Sequence, residues 1–491
     1  MAGSELEYMT ATRMRKLLIL RKASAVELLD VHIERVRKLN PMLNAVVALD
    51  DDGARQQARA ADDARSRGTD LGKLHGVPMT VKDSFEVLGM PATCGIEELK
   101  DYKPAQDAAA VARIRGSGAV IFGKTNVPAG AGDHQTCNTL FGLTRNPWNV
   151  DRTVGGSSGG AAAALASGMT PLEFGSDIGG SLRVPAHYCG VYGHKSSYGV
   201  VSLEGHIPPP PGHLLQPELA VAGPLARSAV DLELLLDVLV GPLNRDGQAS
   251  AVDLPSPRHE DLRTFRVAVW NDAKSFPLDS SYAAAIDTFV GDLRRLGLCV
   301  DADARPAIDT AESHSIYLQT MFGIIGAGLP PPVRAAIIEA GRNAPADSYE
   351  HRVSDAVGQT LSQYLSAAEQ RQRLLRAWRH FFESYDVLIC PVTPTVAFPH
   401  DVNNLGMAAQ FRRRIVVDGR QLPFMDNLAW PGLVTVANLP ATAAPTGHLV
   451  GGLPAGVQIV GPFLGDRTTL KFAQLLEQQL GGFIPPRVTL A

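Results

Sequence analysis

A chain of 491 residues with 45% hydrophobic content holds material for a large buried core, and that length fits two or three domains or one big α/β enzyme. The net charge is −4 and the Lys and Arg residues are scattered, which excludes the basic face that a polyanion or an anionic membrane surface requires. Five cysteines (Cys94, Cys137, Cys189, Cys299, Cys390) stand far apart with no CxxC pair, which excludes a disulfide framework and a zinc site and fits a reducing compartment.

The N-terminal stretch MAGSELEYMTATRMRKLL lacks the apolar run of about 7 to 15 residues that an export signal carries. Nowhere do about 18 apolar residues follow one another. A cytoplasmic protein is expected. Ser24 followed by Glu27 has the form of a capping box, and Leu28, Val31, Val36 and Leu39 recur at helical spacing, which predicts a helix over 24–40. A second helix is expected over about 51–66. HGVPMTVKD (75–83) reads as a strand whose C-terminal end reaches Lys82.

From Asp107 the chain offers a helix (DAAAVARIRG), a buried strand (AVIF, 119–122), a polar loop, an alanine-rich helix after Gly159, a strand near PLEF, then a further loop and helix. This alternation implies right-handed βαβ units and a mostly parallel sheet covered by helices. HIPPPPGHLL (206–215) is a rigid loop, because four prolines remove four donors; a surface connector is preferred over a pocket mouth. Further on, FRVAVW (265–270) is strand-like, AAAIDTFVGDLRRLG helical and YDVLICPV (385–392) a buried strand, with strand signals again at LVTVA (433–437) and GVQIV (456–460). The expected segmentation is N-terminal helices packing on the core or a partner (1–70), a core (71–305), a helical substrate cap (306–385) and C-terminal strands and helix completing the core (386–491).

Two motif matches fail on mechanism. GAVIFGKT (118–125) fits the P-loop letters, yet its four intervening residues are themselves the strand and a helix precedes them, so no flexible backbone is left to wrap phosphate. Gly156 to Gly160 fits the G-x-S-x-G nucleophile elbow with Ser158 at its centre, but the preceding TRNPWNVDRTV is polar and carries Pro147 where a buried strand is required.

What survives is a pair of glycine-flanked serines. In Gly175 to Ser181 the paired glycines have no Cβ, so successive N–H groups can converge on a developing oxyanion beside Ser181. The cluster Gly155 to Gly160 brings a second hydroxyl at a helix N-terminus. An N-cap role explains one serine there. It explains neither the glycines on both sides nor a second such serine 24 residues later.

GGSSGG followed by DIGGSLRVP, with GVPMTVKD upstream, resembles the amidase signature family. GKTNVP, FGLTRNPWN and GLPAGVQIVGPFLGD are similar to further family segments, so the likeness spans most of the chain. The resemblance implies an α/β fold with a large, mostly parallel mixed sheet covered by helices on both faces. It implies a Ser-Ser-Lys triad: Ser181 the acyl-enzyme nucleophile, Ser157 the bridging serine after a cis Gly156–Ser157 peptide, and Lys82 the base. Lys82 must then be buried and its pKa lowered toward neutrality, which its neighbours Val77, Met79 and Val81 suit. The N–H groups of Ile178, Gly179 and Gly180, with Ser181 a further candidate, would hold the oxyanion. Ser158, Asp177 and Arg183 would support the loops. Ala131 and Asp133 would line the pocket.

The implied activity is hydrolysis of the C–N bond of a small or medium linear amide, with ester or carbamate turnover through the same acyl-enzyme. No cofactor and no metal are expected. Partners would be a small-molecule amide and at most a second copy of the chain, with no nucleic acid and no membrane. The alternative is a glutaminase-type subunit of a tRNA-dependent amidotransferase. ENSAFG-like wording is typical of that subunit; GDHQTCNTLFG stands here, with Asp133 and His134 as departures. A non-catalytic scaffold ranks last, because all three triad positions are filled.

Overall fold

The computed structural model describes residues 6–243, 252–403 and 405–488. Its N-terminal helices follow their local chemistry. Ser24 and Glu27 form the reciprocal capping box of α1 (Ala25–Leu43), which buries Leu28, Leu29, Ile33, Val36 and Leu39. α2 (Asp51–Ser66) buries Ala54, Ala58, Ala61 and Ala64, small side chains that let it lie close against α1 and the sheet. Between them runs a short strand, β1 (Val46–Leu49), that the sequence did not announce.

The remaining strands of the main sheet are β2 (Pro78–Lys82), β3 (Val120–Thr125), β4 (Leu172–Asp177), β5 (Tyr192–Lys195), β6 (Val221–Ala226), β7 (Val267–Val269), β8 (Val300–Asp301), β9 (Val387–Cys390), β10 (Ala441–Val450) and β11 (Leu453–Val460). Together they make one mixed sheet of 11 strands in the order β1-β3-β2-β4-β6-β5-β10-β11-β9-β7-β8. The parallel pairs sit in two blocks, β3-β2-β4 and β9-β7-β8; the pairs between and outside them are antiparallel. Each block has the βαβ alternation expected from the sequence. β10 and β11 form a hairpin whose Gly451 and Gly452 both take positive φ, the geometry a tight two-residue turn needs.

One expected strand is a helix. LVTVA lies at the end of Ala429–Thr435 and the turn after it, where every helical residue is buried. Burial all round removes the polar face whose spacing would have marked a helix, and leaves a β-branched run that imitates a strand.

Two short helices lead away from the serine clusters: α3 (Gly159–Ala166), fully buried, and α4 (Arg183–Cys189). The segment expected to be helical contains α5 (Thr310–Ala327), α6 (Pro331–Arg342), α7 (Tyr349–Gly358) and α8 (Leu361–Ser384), the last begun by a Thr360–Gln363 capping box. Among the described residues no helix is long and apolar enough to cross a membrane.

Candidate active site

Lys82 is the last residue of β2, and its side chain is sealed from solvent. Parallel pairing of β2 with β4 sets Val81 opposite Phe174, which carries the end of β4 past the lysine. Nζ donates to Ser157 Oγ at 2.7 Å and to Ser176 Oγ at 2.9 Å. Among the described residues it forms no ion pair with a carboxylate. Burial lowers its pKa to about 8, against the opposing influence of Cys94, Asp177 and Glu173 at a distance. The amine is therefore within reach of its neutral form near physiological pH.

The first serine cluster is glycine-rich because other backbone runs against it. A Cβ at Gly156 would lie 2.1 Å from the Asp133 carbonyl oxygen, and one at Gly160 would lie 2.3 Å from the Asn126 nitrogen. The Gly156–Ser157 peptide is cis. Ser158 is the N-cap position of α3 without a side-chain capping bond. It ties the two clusters together instead: its N–H donates to the Ser181 carbonyl at 3.1 Å and its hydroxyl to the Ser176 carbonyl at 3.4 Å.

Ser181, 6% exposed, ends the loop between β4 and α4. That loop is wrapped around the Asp177 carboxylate, which accepts from the N–H groups of Gly180 (2.9 Å), Leu182 (3.0 Å) and Arg183 (3.4 Å) and from the Arg183 guanidinium (2.9 and 3.1 Å). Burial alone would raise the Asp177 pKa, but the Arg183 guanidinium outweighs it and holds the carboxyl well below its usual range. Arg183 in turn donates to Pro431 O, Gln458 and Thr435, anchoring the loop to the C-terminal part of the chain. Ser158, Asp177 and Arg183 thus stand in one hydrogen-bonded network around the loop that carries Ser181.

Gly180 corrects the expected oxyanion donors. Its N–H is spent on Asp177, so it cannot also serve an oxyanion. The N–H groups of Ile178, Gly179 and Ser181 have no acceptor among the described residues. Two side chains set the peptide planes: Tyr317 of α5 donates to the Ile178 carbonyl at 3.0 Å, and His134 Nε2 donates to the Gly179 carbonyl at 2.9 Å. In a planar trans peptide the N–H points opposite its C=O, so fixing the Ile178 carbonyl aims the Gly179 N–H. Burial lowers the His134 pKa to about 4, keeping the ring neutral with its proton on Nε2.

Asp133 needs a second correction. Its carboxylate pairs with Arg413 at 2.5 Å and is only 8% exposed, so it is not free to meet a substrate. Ala131 adopts a positive φ and packs beside the buried Cys94 and Ile207. The P-loop-like Lys124 is fully engaged: Nζ donates to Phe85 O (2.7 Å) and Pro91 O (3.0 Å) and faces Asp83 at 3.5 Å. Among the described residues no group of three or more His, Cys, Asp or Glu is placed to hold a metal ion.

Two residues at the lysine were not singled out from sequence. Ser176 precedes Asp177 within the quoted glycine cluster, and only the strand register shows that it meets Nζ. His206 opens the Pro-rich loop, and its Nε2 lies 2.8 Å from Ser176 Oγ. That loop thus reaches the site, where a surface connector had been preferred.

Comparisons with known proteins place the chain among amidases. A family model described as Amidase matches residues 27–470. A Glu-tRNA(Gln) amidotransferase subunit from Roseiflexus castenholzii is 32% identical, over 94% of this chain and 94% of the relative. Among solved structures, a bacterial aryl acylamidase of the amidase signature enzymes matches at 25% identity and a TM-score of 0.80, covering 96% of each chain. The 6-aminohexanoate cyclic dimer hydrolase in complex with substrate matches at 27% identity and a TM-score of 0.78, covering 98% of this chain and 99% of the other.

Proposed function

The chain belongs to the amidase signature family, and from that premise we propose that it is an amide hydrolase in which Ser181 attacks the carbonyl, Ser157 relays the proton and Lys82 receives it. The observation that carries this reading is the buried Lys82 amine, 2.7 Å from Ser157 Oγ and lowered to about 8. A neutral lysine takes the Ser157 proton as Ser157 takes that of Ser181. The Ser181 oxygen bonds to the amide carbon and the carbonyl oxygen gathers charge toward the N–H groups of Ile178, Gly179 and Ser181. On collapse the C–N bond breaks, and the proton held by Lys82 returns through Ser157 to the leaving amine. Water then gives its proton through Ser157 to the neutral Lys82 as its oxygen bonds to the acyl carbon, and on collapse the bond to Ser181 breaks while the proton returns through Ser157 to the Ser181 oxygen, releasing the acid.

The substrate is a small or medium linear amide, with ester and carbamate turnover as side activities of the same acyl-enzyme. A second reading, a glutaminase component that needs partner chains, is kept because curated relatives such as that of Roseiflexus castenholzii carry the name of an amidotransferase subunit. The free-standing enzyme is preferred, with Asp133 bound to Arg413 and His134 bound to the oxyanion loop where the sequence departs from the wording typical of that subunit.

The test is labelling of the purified chain with a fluorophosphonate, followed by peptide mass spectrometry and a panel of anilides, aliphatic amides, carbamates and glutamine. The label is expected on Ser181, and Ser181→Ala is expected to abolish both labelling and turnover. A label on Ser158 would sink the assignment. Turnover of glutamine alone, and only with added partner subunits, would favour the second reading.

A further inference from the structure

Beside the catalytic lysine stands a histidine that this mechanism leaves unused. His206 belongs to a loop tied to the strand end that carries Lys82: the Ile207 N–H donates to Ser84 O at 2.7 Å, and Phe85 pairs with His206 in an isolated bridge. The Phe85 ring meets the imidazole edge-on, with centroids 4.8 Å apart. The position of the imidazole relative to the lysine is thus set by the turn that follows β2.

Both ring nitrogens are committed. Nδ1 lies 2.9 Å from the Pro208 carbonyl oxygen, and a carbonyl only accepts, so Nδ1 carries the proton. Nε2 lies 2.8 Å from Ser176 Oγ. Burial first, and the Lys82 charge second, push the imidazole down to about 3, so the ring is neutral and Nε2 is a bare acceptor.

A hydroxyl owns one proton, and Ser176 spends it on Nε2. Its oxygen can then only accept from Lys82 Nζ, 2.9 Å away. A neutral amine has a lone pair besides its N–H bonds. Of the two hydroxyls touching Nζ, only that of Ser157, at 2.7 Å, remains able to donate to that lone pair.

We propose that His206 is a positioning residue that sets the direction of the proton relay: by consuming the Ser176 proton, it reserves the lone pair of Lys82 for Ser157. This rests on the reading of Lys82 as the base. Without the acceptor, Ser176 turns its proton to the amine and competes with Ser157, and the lysine no longer draws on the nucleophile.

A double-mutant cycle read by fluorophosphonate labelling of the full chain tests this without knowledge of the natural substrate. His206→Phe is expected to slow the maximal labelling rate about tenfold while half-saturation moves less than about threefold. In a Ser176→Ala background the same substitution is expected to cost less than about threefold, because no competing hydroxyl remains. His206→Gln, whose amide oxygen can accept from Ser176, is expected to stay within about threefold of the parent. Equal losses with and without the Ser176 hydroxyl, or a His206→Gln variant as slow as His206→Phe, would overturn the proposal. Where the phenyl variant does not fold, the glutamine variant decides alone, a loss of about tenfold against the parent being the overturning result. Lys82→Ala labelled at the parental rate would remove the base assignment and this proposal with it, whereas additivity in the cycle removes the proposal alone.

Discussion

Two lysines sit on neighbouring parallel strands, both sealed from water, and only one of them meets hydroxyl groups. Lys124 of β3 stands opposite Val81, next to Lys82 of β2. Burial lowers the pKa of each. Around Lys124 are two carbonyls and the Asp83 carboxylate, groups that stabilise an ammonium and cannot donate to an amine lone pair. Around Lys82 are hydroxyls, which accept from an ammonium but can also donate to the neutral amine. On the proposed reading, the same residue type at the same depth serves as a structural cation or as a base according to the kind of oxygen it meets. Lys124 completes the letters of a P-loop pattern, whereas Lys82 is marked only by the resemblance of GVPMTVKD, taken with the two serine clusters, to the amidase signature family.

The strongest challenge to this contrast is Lys82→Ala. Its turnover of whichever panel amide the parent accepts should fall about a thousandfold to ten-thousandfold, with the far-UV circular dichroism unchanged. The parental kcat/KM should rise with pH and level off above about 8, because the base works only after losing its proton, and that limb should vanish in the variant. An unchanged limb would reassign the titration to another group.

Next in size is Lys124→Met, which strands the Asp83 carboxylate in the core. Urea denaturation should show a loss of about 3 to 5 kcal/mol, while the folded variant keeps its labelling rate within about tenfold. A loss of chemistry as deep as that of Lys82→Ala would erase the distinction between the lysines.

Smaller again is Asp83→Asn, which makes the surroundings of Lys124 more like those of Lys82. A cost of about 1 to 3 kcal/mol at neutral pH is expected. The sign of its pH dependence follows from the lysine: its folded pKa is lowered from 10.5, so the penalty of burying the ammonium is full below that folded value and fades as pH rises toward 10.5. The gap between variant and parent in urea denaturation should therefore narrow between pH 7 and pH 10, about one lysine's titration range. A gap that widens would show that Asp83 is not what keeps Lys124 charged.

Much of the scaffold was legible because local chemistry and tertiary packing agree there. The capping box at Ser24, the strand ending at Lys82 and the buried runs at 119–122 and 385–392 all carry their own signals. Where packing surrounds a segment the signal disappears: LVTVA looked like a strand, and β10, rich in alanine and threonine with Pro445 inside it, looked like neither helix nor strand. At the site, the serines, the lysine and the glycines that admit neighbouring backbone were readable. Gly180 was misjudged because an N–H left free by a flexible loop and one captured by a nearby carboxylate have the same sequence.

The amino-acid order alone determined which groups could react and which backbone could approach them, since glycine has no Cβ and a hydroxyl or an amine has the same chemistry wherever it stands. The folded structure decided which of those groups meet. Lys82 and Ser176 are separated by 94 positions, and the proton of Ser176 is directed by an imidazole 30 positions further on. Burial and hydrogen-bond partners set how readily a proton leaves, and both are made by chain segments that become neighbours only when the sheet has closed.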